Sequence, residues 1–344
     1  MRATVFTDAT LKKQAGRFVW LSIDTEDAKN AAFLERYPYD AVPTFQVLDA
    51  KTEKVSYRWI GAVDVQELVK RFDEAETAFR RTDATSVAEP SGPEAGLVAL
   101  SVAGKNEECA QQAVALLPEL PNGAAKASVA ASGLDCALSS PEDAPWRGAA
   151  LATLEAAVRE SLSYDGLLDD DRSGLYGVLV DARDREGDAA GAKAAAVLWL
   201  DWLDAQARSA PSPEARAALD GYRVSAAQSA GAPERVLAAI QDSERELPND
   251  YNPPARLAVV LRELGRYDEA LAASDRALAK VYGPRKLTLL DARATILEKK
   301  GDRAGAKAAL EEALAYAETL PQAQQRKGTV ARIVKHLGQV GAAD

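Results

Sequence analysis

The sequence is poor in the residue types on which most metal centres and nucleophilic active sites depend. Its 344 residues include two cysteines, one histidine and one methionine. Two cysteines cannot build a disulfide framework or a four-cysteine zinc site. The single histidine, His336, has no companion with which to hold a metal or form a nucleophile–base pair, so we expect a solvated side chain. The composition predicts no metal site and no catalytic residue.

Long apolar runs and basic runs are absent as well. No stretch approaches the roughly 18 apolar residues of a membrane-spanning helix, so no membrane span is predicted. No long Lys/Arg run occurs in a chain whose net charge is −10, which argues against nucleic-acid binding. The N-terminal MRATVFTDATLKK lacks the apolar core of a signal peptide. Two cysteines do not indicate whether the compartment is oxidising or reducing, so the localisation of the protein is unknown.

The motifs that hold cofactors are missing too. There is no Gly-rich phosphate loop. The acidic stretch DDDRSG, residues 169–174, lacks the spacing and the closing glutamate of a calcium loop. We expect its Asp or Ser residues to cap the helix that follows. No cofactor is predicted.

Alanine is abundant, and its abundance predicts that most of the chain is helical. Hydrophobic residues make up 47% of the sequence but aromatic residues only 6%. Alanine favours helix and lets helices pack closely. A stretch rich in Ser, Thr and Pro predicts a linker at 81–92. It separates residues 1–80 from a helical region at 93–338, which is followed by a tail at 339–344.

The first 80 residues predict an α/β unit. RFVWLSID, residues 17–24, is β-branched and aromatic and predicts a buried strand. A helical pattern follows at 26–37. Two strand patterns joined by a short polar turn then predict a hairpin, and an amphipathic helix begins after Asp64, a candidate N-cap.

The helical region contains a repeated pattern centred on glycine. The last three intervals between the repeated glycines are 44, 34 and 36 residues, and the first, 83 residues, has room for two units. A glycine between two amphipathic helices suits the positive φ of a helix end. The repeat-turn glycines are Gly104, Gly187, Gly231, Gly265 and Gly301.

This pattern resembles the tetratricopeptide repeat. The clearest copy is YNPPARLAVVLRELGRYDEALAASDRALAKVYG, and the resemblance covers roughly residues 93–338. It implies an all-α superhelical solenoid of about six units that binds a protein or peptide partner in a concave groove. The chain's acidity hints at a partner with basic segments. We expect Trp199 and Trp202 to fill gaps in helix packing rather than bind a cofactor.

The N-terminal stretch YPYDAVPTFQVLDAKTEKVSYRWIGAVDVQEL resembles the C-terminal part of the thioredoxin-like fold. In that family the matching proline, here Pro43, forms a cis peptide bond. The bond turns the preceding Val42 so that its backbone can pair with an extended substrate, which makes Val42, Pro43 and Thr44 a substrate-facing loop. The alternative is an ordinary trans proline at the start of an edge strand.

The family's Cys-x-x-Cys motif has no counterpart in this chain. By the resemblance it would lie just before residue 2, so we expect an incomplete thioredoxin-like domain whose redox cysteines lie upstream of Met1. A natural degenerate domain that repacks is the alternative.

The two cysteines present, Cys109 and Cys136, are 27 residues apart and lack the local spacing of a redox pair. Antiparallel helix stacking would allow a structural disulfide. Two unpaired, partly buried thiols are the other interpretation.

Three functions therefore stay open. The first is a protein–protein interaction scaffold with a thioredoxin-like module that lacks its redox cysteines, and it predicts no reductase activity for this chain. The second is a thiol–disulfide oxidoreductase or disulfide-handling chaperone with its active site upstream. The third is a redox-inactive structural adaptor.

Overall fold

The computed structural model describes residues 5–39, 41–80, 87–88 and 93–342, and most of them are helical. The chain forms two compact units. Unit 1 contains Met1–Arg17 and Ala41–Trp202. Unit 2 contains Phe18–Asp40 and Leu203–Asp344. The predicted linker at 81–92 and the domain bounds on either side of it stay a prediction. Residues 81–86 and 89–92 of that linker lie outside the described residues.

Unit 1 begins with a 3-10 helix, Ala9–Gln14, and continues with a β-hairpin and a helix. Strand β1 (Thr44–Leu48) pairs antiparallel with β2 (Val55–Ile60). Helix α2 (Val65–Phe79) follows. The side chain of Asp64 accepts a hydrogen bond from the backbone N–H of Glu67 at 2.7 Å, which confirms the predicted N-cap.

The hairpin and α2 bury a small aromatic core. The Phe45 and Trp59 rings stack with centroids 4.5 Å apart, and Tyr57 and Trp59 are buried together with Leu68 and Phe72 of α2. The alternating pattern of β2 therefore turns its aromatic face toward the helix.

The predicted strand at residues 17–24 is not a strand in the structure, and this expectation is wrong. Val19 is 92% exposed and Leu21 is 72% exposed. Among the described residues, the sheet has only β1 and β2. A β-branched run becomes a buried strand only when a neighbour pairs with it, and none does here. The predicted helix at 26–37 is reduced to a 3-10 turn (Ala28–Asn30) and α1 (Ala31–Arg36).

The described part of the predicted linker lies beside the hairpin. The N–H of Arg58 donates to the carbonyl of Ala88 at 2.9 Å, and the N–H of Ala88 donates to the carbonyl of Ser56 at 3.1 Å. A two-stranded sheet with one helix does not show a thioredoxin-like fold, which stays a prediction.

The rest of unit 1 is helical, and buried side chains between residues 97 and 182 form one hydrophobic core. Buried Ala and Leu side chains fill it, as the alanine content predicts. Trp202 lies beside Tyr176, with ring centroids 5.9 Å apart, and Trp199 is buried, so both pack against helices as expected. The helices are α3 (Pro93–Val102), α4 (Asn106–Leu116), α5 (Ala124–Leu138), α6 (Arg147–Ser161), α7 (Asp169–Arg185) and α8 (Ala189–Ser209), whose last turns belong to unit 2.

The acidic stretch at 169–174 does not provide the predicted cap. Leu168 is the N-cap residue of α7, and its side chain makes no capping bond. Asp169, Asp170 and Asp171 lie in the first turn, where the partial positive charge of the helix N-terminus favours carboxylates.

Unit 2 is a run of helix pairs. The core of its last pairs consists of Leu and Ala side chains from α14 and α15 together with Ile333 and Val340 of α16. Helix α16 extends into the predicted tail. The helices are α9 (Pro213–Ala218), α10 (Asp220–Ser229), α11 (Glu234–Glu246), α12 (Asn252–Glu263), α13 (Tyr267–Leu278), α14 (Arg285–Lys300), α15 (Arg303–Thr319) and α16 (Lys327–Ala342).

The five repeat-turn glycines all have positive φ, between +62° at Gly231 and +90° at Gly301. Gly265 shows why. The N–H of Gly265 donates to the carbonyl of Arg262 at 3.0 Å, and the N–H of Arg266 donates to that of Leu261 at 2.9 Å. This pair of bonds satisfies the last carbonyls of α12 and requires a left-handed residue between the helices.

Within the described residues, no helix has both the length and the apolar character needed to cross a membrane. The same part of the chain contains no cluster of three or more His, Cys, Asp or Glu side chains that could hold a metal ion.

Candidate protein-binding groove

A groove of about 250 Å³ opens on the face of unit 2 formed by α10, α12 and α14. These are the first helices of three successive pairs, so the repeat presents equivalent faces side by side. The groove is lined by Gly221, Val224, Tyr251, Asn252, Ala255, Arg256, Ala258, Val259, Arg262, Ser274, Ala277, Arg285, Thr288, Leu289, Ala292 and Ile296.

The start of α12 is fixed by local polar contacts and prolines. Asp250 Oδ1 accepts from the backbone N–H and from the side-chain amide of Asn252, both at 2.8 Å. Pro253 and Pro254 occupy the first turn, where a missing N–H costs nothing. This arrangement sets Tyr251 and Asn252 at one end of the groove.

The floor of the groove is apolar and includes two alanines. Ala258, Ala277 and Ile296 are buried, while Val259 and Leu289 are half-buried and face the opening. Small residues on adjacent helices leave space that a ligand side chain can fill.

Arginine dominates the charge of the groove lining. Arg256, Arg262 and Arg285 line the groove, and no carboxylate does. Nη1 of Arg256 donates to the carbonyl of Ala217 at 2.8 Å. Nε of Arg262 donates to Oε1 of Glu263 at 3.0 Å. The local charge of the groove therefore differs in sign from the net charge of the chain.

Buried carboxylates behind the groove balance part of this charge. Burial lowers the pKa of Arg256, against the opposing effect of Asp220 and Asp250. Asp220 is fully buried, and this burial raises its pKa. Arg223 of α10 forms an ion pair with Asp220, with Nη1 and Oδ1 3.4 Å apart. Its second ion pair, with Nη2 2.8 Å from Oδ1 of Asp204, joins α10 to the end of α8. The wall thus holds its arginines in fixed positions.

The residues predicted for the substrate-facing loop lie at the start of β1. The Val42–Pro43 peptide bond is cis, and Val42 is 55% exposed. The carbonyl of Pro43 accepts a hydrogen bond from the N–H of Gly61 at 2.9 Å. Oγ1 of Thr44 donates to the carbonyl of Ala41 at 2.5 Å. No cysteine accompanies this loop, since both cysteines lie in α4 and α5. Its role in binding stays a prediction.

Cys109 of α4 and Cys136 of α5 form a disulfide, with Cα atoms 6.1 Å apart. Neither cysteine is free. Both are buried, at 0% and 1% exposure, so the disulfide is shielded from solvent. Of the two interpretations that the sequence leaves open, the structure has the structural disulfide.

His336 is not the solvated side chain that the sequence predicts. Its Nδ1 lies 2.7 Å from Asp291 Oδ1 and its Nε2 lies 2.7 Å from Glu298 Oε2, both on α14. Its side chain is 17% exposed. Burial lowers the pKa of His336, but the hydrogen bonds to the two carboxylates outweigh it and raise the pKa. This contact could not be predicted from local sequence patterns, because the two carboxylates are 38 and 45 residues away along the chain.

Comparison with known proteins supports the repeat. A family model described as tetratricopeptide repeat matches residues 251–319, from the start of α12 to the end of α15. No curated protein matches the chain. The crystal structure of BtubC (BKLC) from P. vanneervenii is similar over 65% of this chain and 90% of that chain, at 15% sequence identity and a TM-score of 0.39. That likeness is too weak to support conclusions. Residues 251–319 are tetratricopeptide-like.

Proposed function

We propose that this protein is an interaction scaffold that holds a segment of a partner protein in the groove of α10, α12 and α14. The observation that carries the proposal is the groove itself. The tetratricopeptide match covers two of its three walls, α12 and α14. Repeat surfaces of this kind are extended concave binding surfaces.

The groove favours a particular partner chemistry. A volume of about 250 Å³ accommodates a few side chains of an extended peptide rather than a folded domain. The net charge of −10 favours long-range attraction of a basic protein, but salt screens such attraction beyond about 8 Å at physiological ionic strength. Contacts inside the groove are closer than that. The three arginines therefore favour a segment that combines apolar side chains with carbonyl or carboxylate oxygens.

Peptide-library selection against the full chain tests this proposal. Thr288 is exposed and lines the groove, so Thr288→Trp fills the groove without disturbing the core. Thr319→Trp places the same side chain at an exposed position outside the groove and is the matched control. We expect selected peptides to lose affinity at least about tenfold with the first variant and to keep it with the second.

Equal binding by both variants would contradict the groove as the binding site. So would the failure of the selection to enrich any peptide sensitive to Thr288→Trp. Circular dichroism melting of the two variants shows whether a lost affinity reflects the groove or the fold.

We also propose, as a second element of the scaffold, that β1, β2 and α2 belong to a thioredoxin-like module without redox activity in this chain. The hairpin-then-helix order that follows Val42–Thr44 supports it, because this is the order that the resemblance implies. An insulin-reduction assay tests it: we expect no turnover, because the two cysteines are buried in one disulfide. A Cys-x-x-Cys motif in the coding DNA 5′ of Met1 would favour the oxidoreductase or disulfide-handling chaperone instead.

A further inference from the structure

An acidic segment from the N-terminal part of the chain is bound to the repeat helices of unit 2. The segment is Asp24–Asp27, and its contacts lie more than 250 residues further along the chain. The residues before the segment are exposed, with Leu21 at 72% exposure. The segment leads into the 3-10 turn Ala28–Asn30 that precedes α1. Polar contacts rather than an apolar core therefore hold the segment in place.

Glu26 makes the central contacts of this segment. Its Oε2 accepts a hydrogen bond from the backbone N–H of Arg285 at 2.6 Å, at the N-terminus of α14. Its Oε1 forms an ion pair with Arg326. The Glu26 side chain is 15% exposed. A half-buried carboxylate thus meets both a helix N-terminus and a guanidinium, which are the two groups that best replace water around a carboxylate.

The residues on either side of Glu26 are held as well. Tyr282 donates its hydroxyl to Asp24 Oδ2 at 2.5 Å, and this bond raises the pKa of Tyr282 to about 12. The amide Nε2 of Gln324 donates to the carbonyl of Thr25 at 3.0 Å. The segment is therefore recognised through two carboxylates and one backbone carbonyl.

Gly283 permits the backbone of residues 24–27 to approach the backbone before α14 closely. A Cβ atom at this position would lie 2.1 Å from the carbonyl oxygen of Glu26, and φ at Gly283 is +62°. Only glycine provides both the space and the backbone conformation. The docking surface consists of Tyr282, Gly283, the backbone N–H of Arg285, Gln324 and Arg326.

The docking surface has more hydrogen-bonding capacity than the segment uses. Nε of Arg285, Nε of Arg326 and Oε1 of Gln324 are buried and have no hydrogen-bond partner. Buried polar atoms are normally paired. Three unpaired atoms on one small surface show that residues 24–27 leave part of its hydrogen-bonding capacity unused.

We propose that Asp24–Asp27 is an internal occupant of a docking surface for an acidic partner segment with Asp-x-Glu spacing, and that the partner displaces it. The ion pair of Glu26 with Arg326 and its bond to the N–H of Arg285 show the charge complementarity that supports a partner of this chemistry. The docking surface adjoins the groove, because Arg285 belongs to both, but the proposal does not depend on what the groove binds. Displacement frees residues 18–27 from the end of the groove.

The test uses the full chain and a labelled synthetic peptide with the sequence of residues 20–31, WLSIDTEDAKNA. The double variant D24A/E26A removes both carboxylates of the internal occupant and leaves the docking surface intact. We expect it to bind the peptide roughly tenfold or more tightly than the wild type does, because an occupied site lowers apparent affinity by the fraction that is free. A peptide with Asn and Gln at positions 24 and 26 should not bind.

Two further variants keep the test decisive. Arg326→Ala, added to D24A/E26A, should weaken peptide binding roughly tenfold or more, because it removes the partner of the central carboxylate. Glu35→Ala removes an exposed carboxylate of α1 and should behave as the wild type. If D24A/E26A loses its helical melting transition, the isosteric Glu26→Gln replaces it in the same comparison.

Equal peptide binding by the wild type and D24A/E26A would overturn the proposal, and so would no binding to a folded D24A/E26A. Binding that is insensitive to Arg326→Ala would place the peptide elsewhere and overturn it as well. Loss of groove binding by Thr288→Trp affects none of these outcomes, so the two proposals can fail separately.

Discussion

Replacing His336 by Ala should weaken unit 2 at acidic pH and much less at alkaline pH. The histidine lies between Asp291 and Glu298 of α14 and joins α16 to that helix. Its pKa is raised in the folded state. The stabilisation is therefore complete below the unfolded pKa of about 6.5 and is lost as the pH rises through the higher folded value.

The size of the effect follows from the two contacts. Hydrogen bonds to charged groups contribute about 1.5–3 kcal/mol each when they are sheltered. Partial exposure of the ring, and the ion pair that Arg332 keeps with Asp291 at 3.1 Å, reduce the combined contribution to about 2 kcal/mol. Unit 2 has 165 residues, so this corresponds to a Tm lower by about 4–8 °C if the unit unfolds cooperatively.

Calorimetry of the wild type and His336→Ala at pH 5.5 and pH 8.5 measures this difference. Lys335→Ala, an exposed neighbour on the same helix, is the matched control and should change Tm little at either pH. A penalty for His336→Ala that is equal at both pH values would refute the ion-pair account, since lost packing alone does not depend on protonation.

Two further predictions concern stability. Replacing both cysteines by Ser in C109S/C136S opens a 27-residue loop and should lower the unfolding free energy of unit 1 by about 3.5 kcal/mol, measured by urea denaturation; a midpoint equal to that of the wild type would contradict a structural role. Gly265→Ala places a Cβ at φ +70° with no atom within 4 Å, so conformational strain alone should cost about 1–2 kcal/mol. An unchanged midpoint would show that the turn relaxes.

The helix pairs could be predicted from sequence because their signals are local. The glycine of each turn recurs along the chain and reflects a requirement of a single helix pair. In the last two turns an alanine also follows five residues after the glycine. Ala270 and Ala306, for example, are fully buried where a second helix crosses its partner. Local patterns of this kind need no knowledge of distant contacts.

The N-terminal region could not be predicted in the same way. RFVWLSID has strand propensity, but its state depends on whether another strand lies beside it, and propensity does not contain that information. The docking of Glu26 on Arg285 and Arg326, and of His336 on α14, joins residues that are far apart in sequence. No local pattern marks such contacts.

The local charge of the groove also could not be predicted from the sequence. A net charge of −10 favours a basic partner, yet the groove is lined by Arg256, Arg262 and Arg285. Net charge averages over the whole surface, whereas binding depends on the few groups that face the ligand. The positions of these arginines follow from helix register, which the sequence alone does not fix between α12 and α14.

Hydrogen–deuterium exchange of the full chain with a selected peptide tests the central claim most directly. We predict that binding protects peptides from α10, α12 and α14, the three walls of the groove. Protection confined to α11 and α15, or to helices of unit 1, would contradict the groove as the binding site.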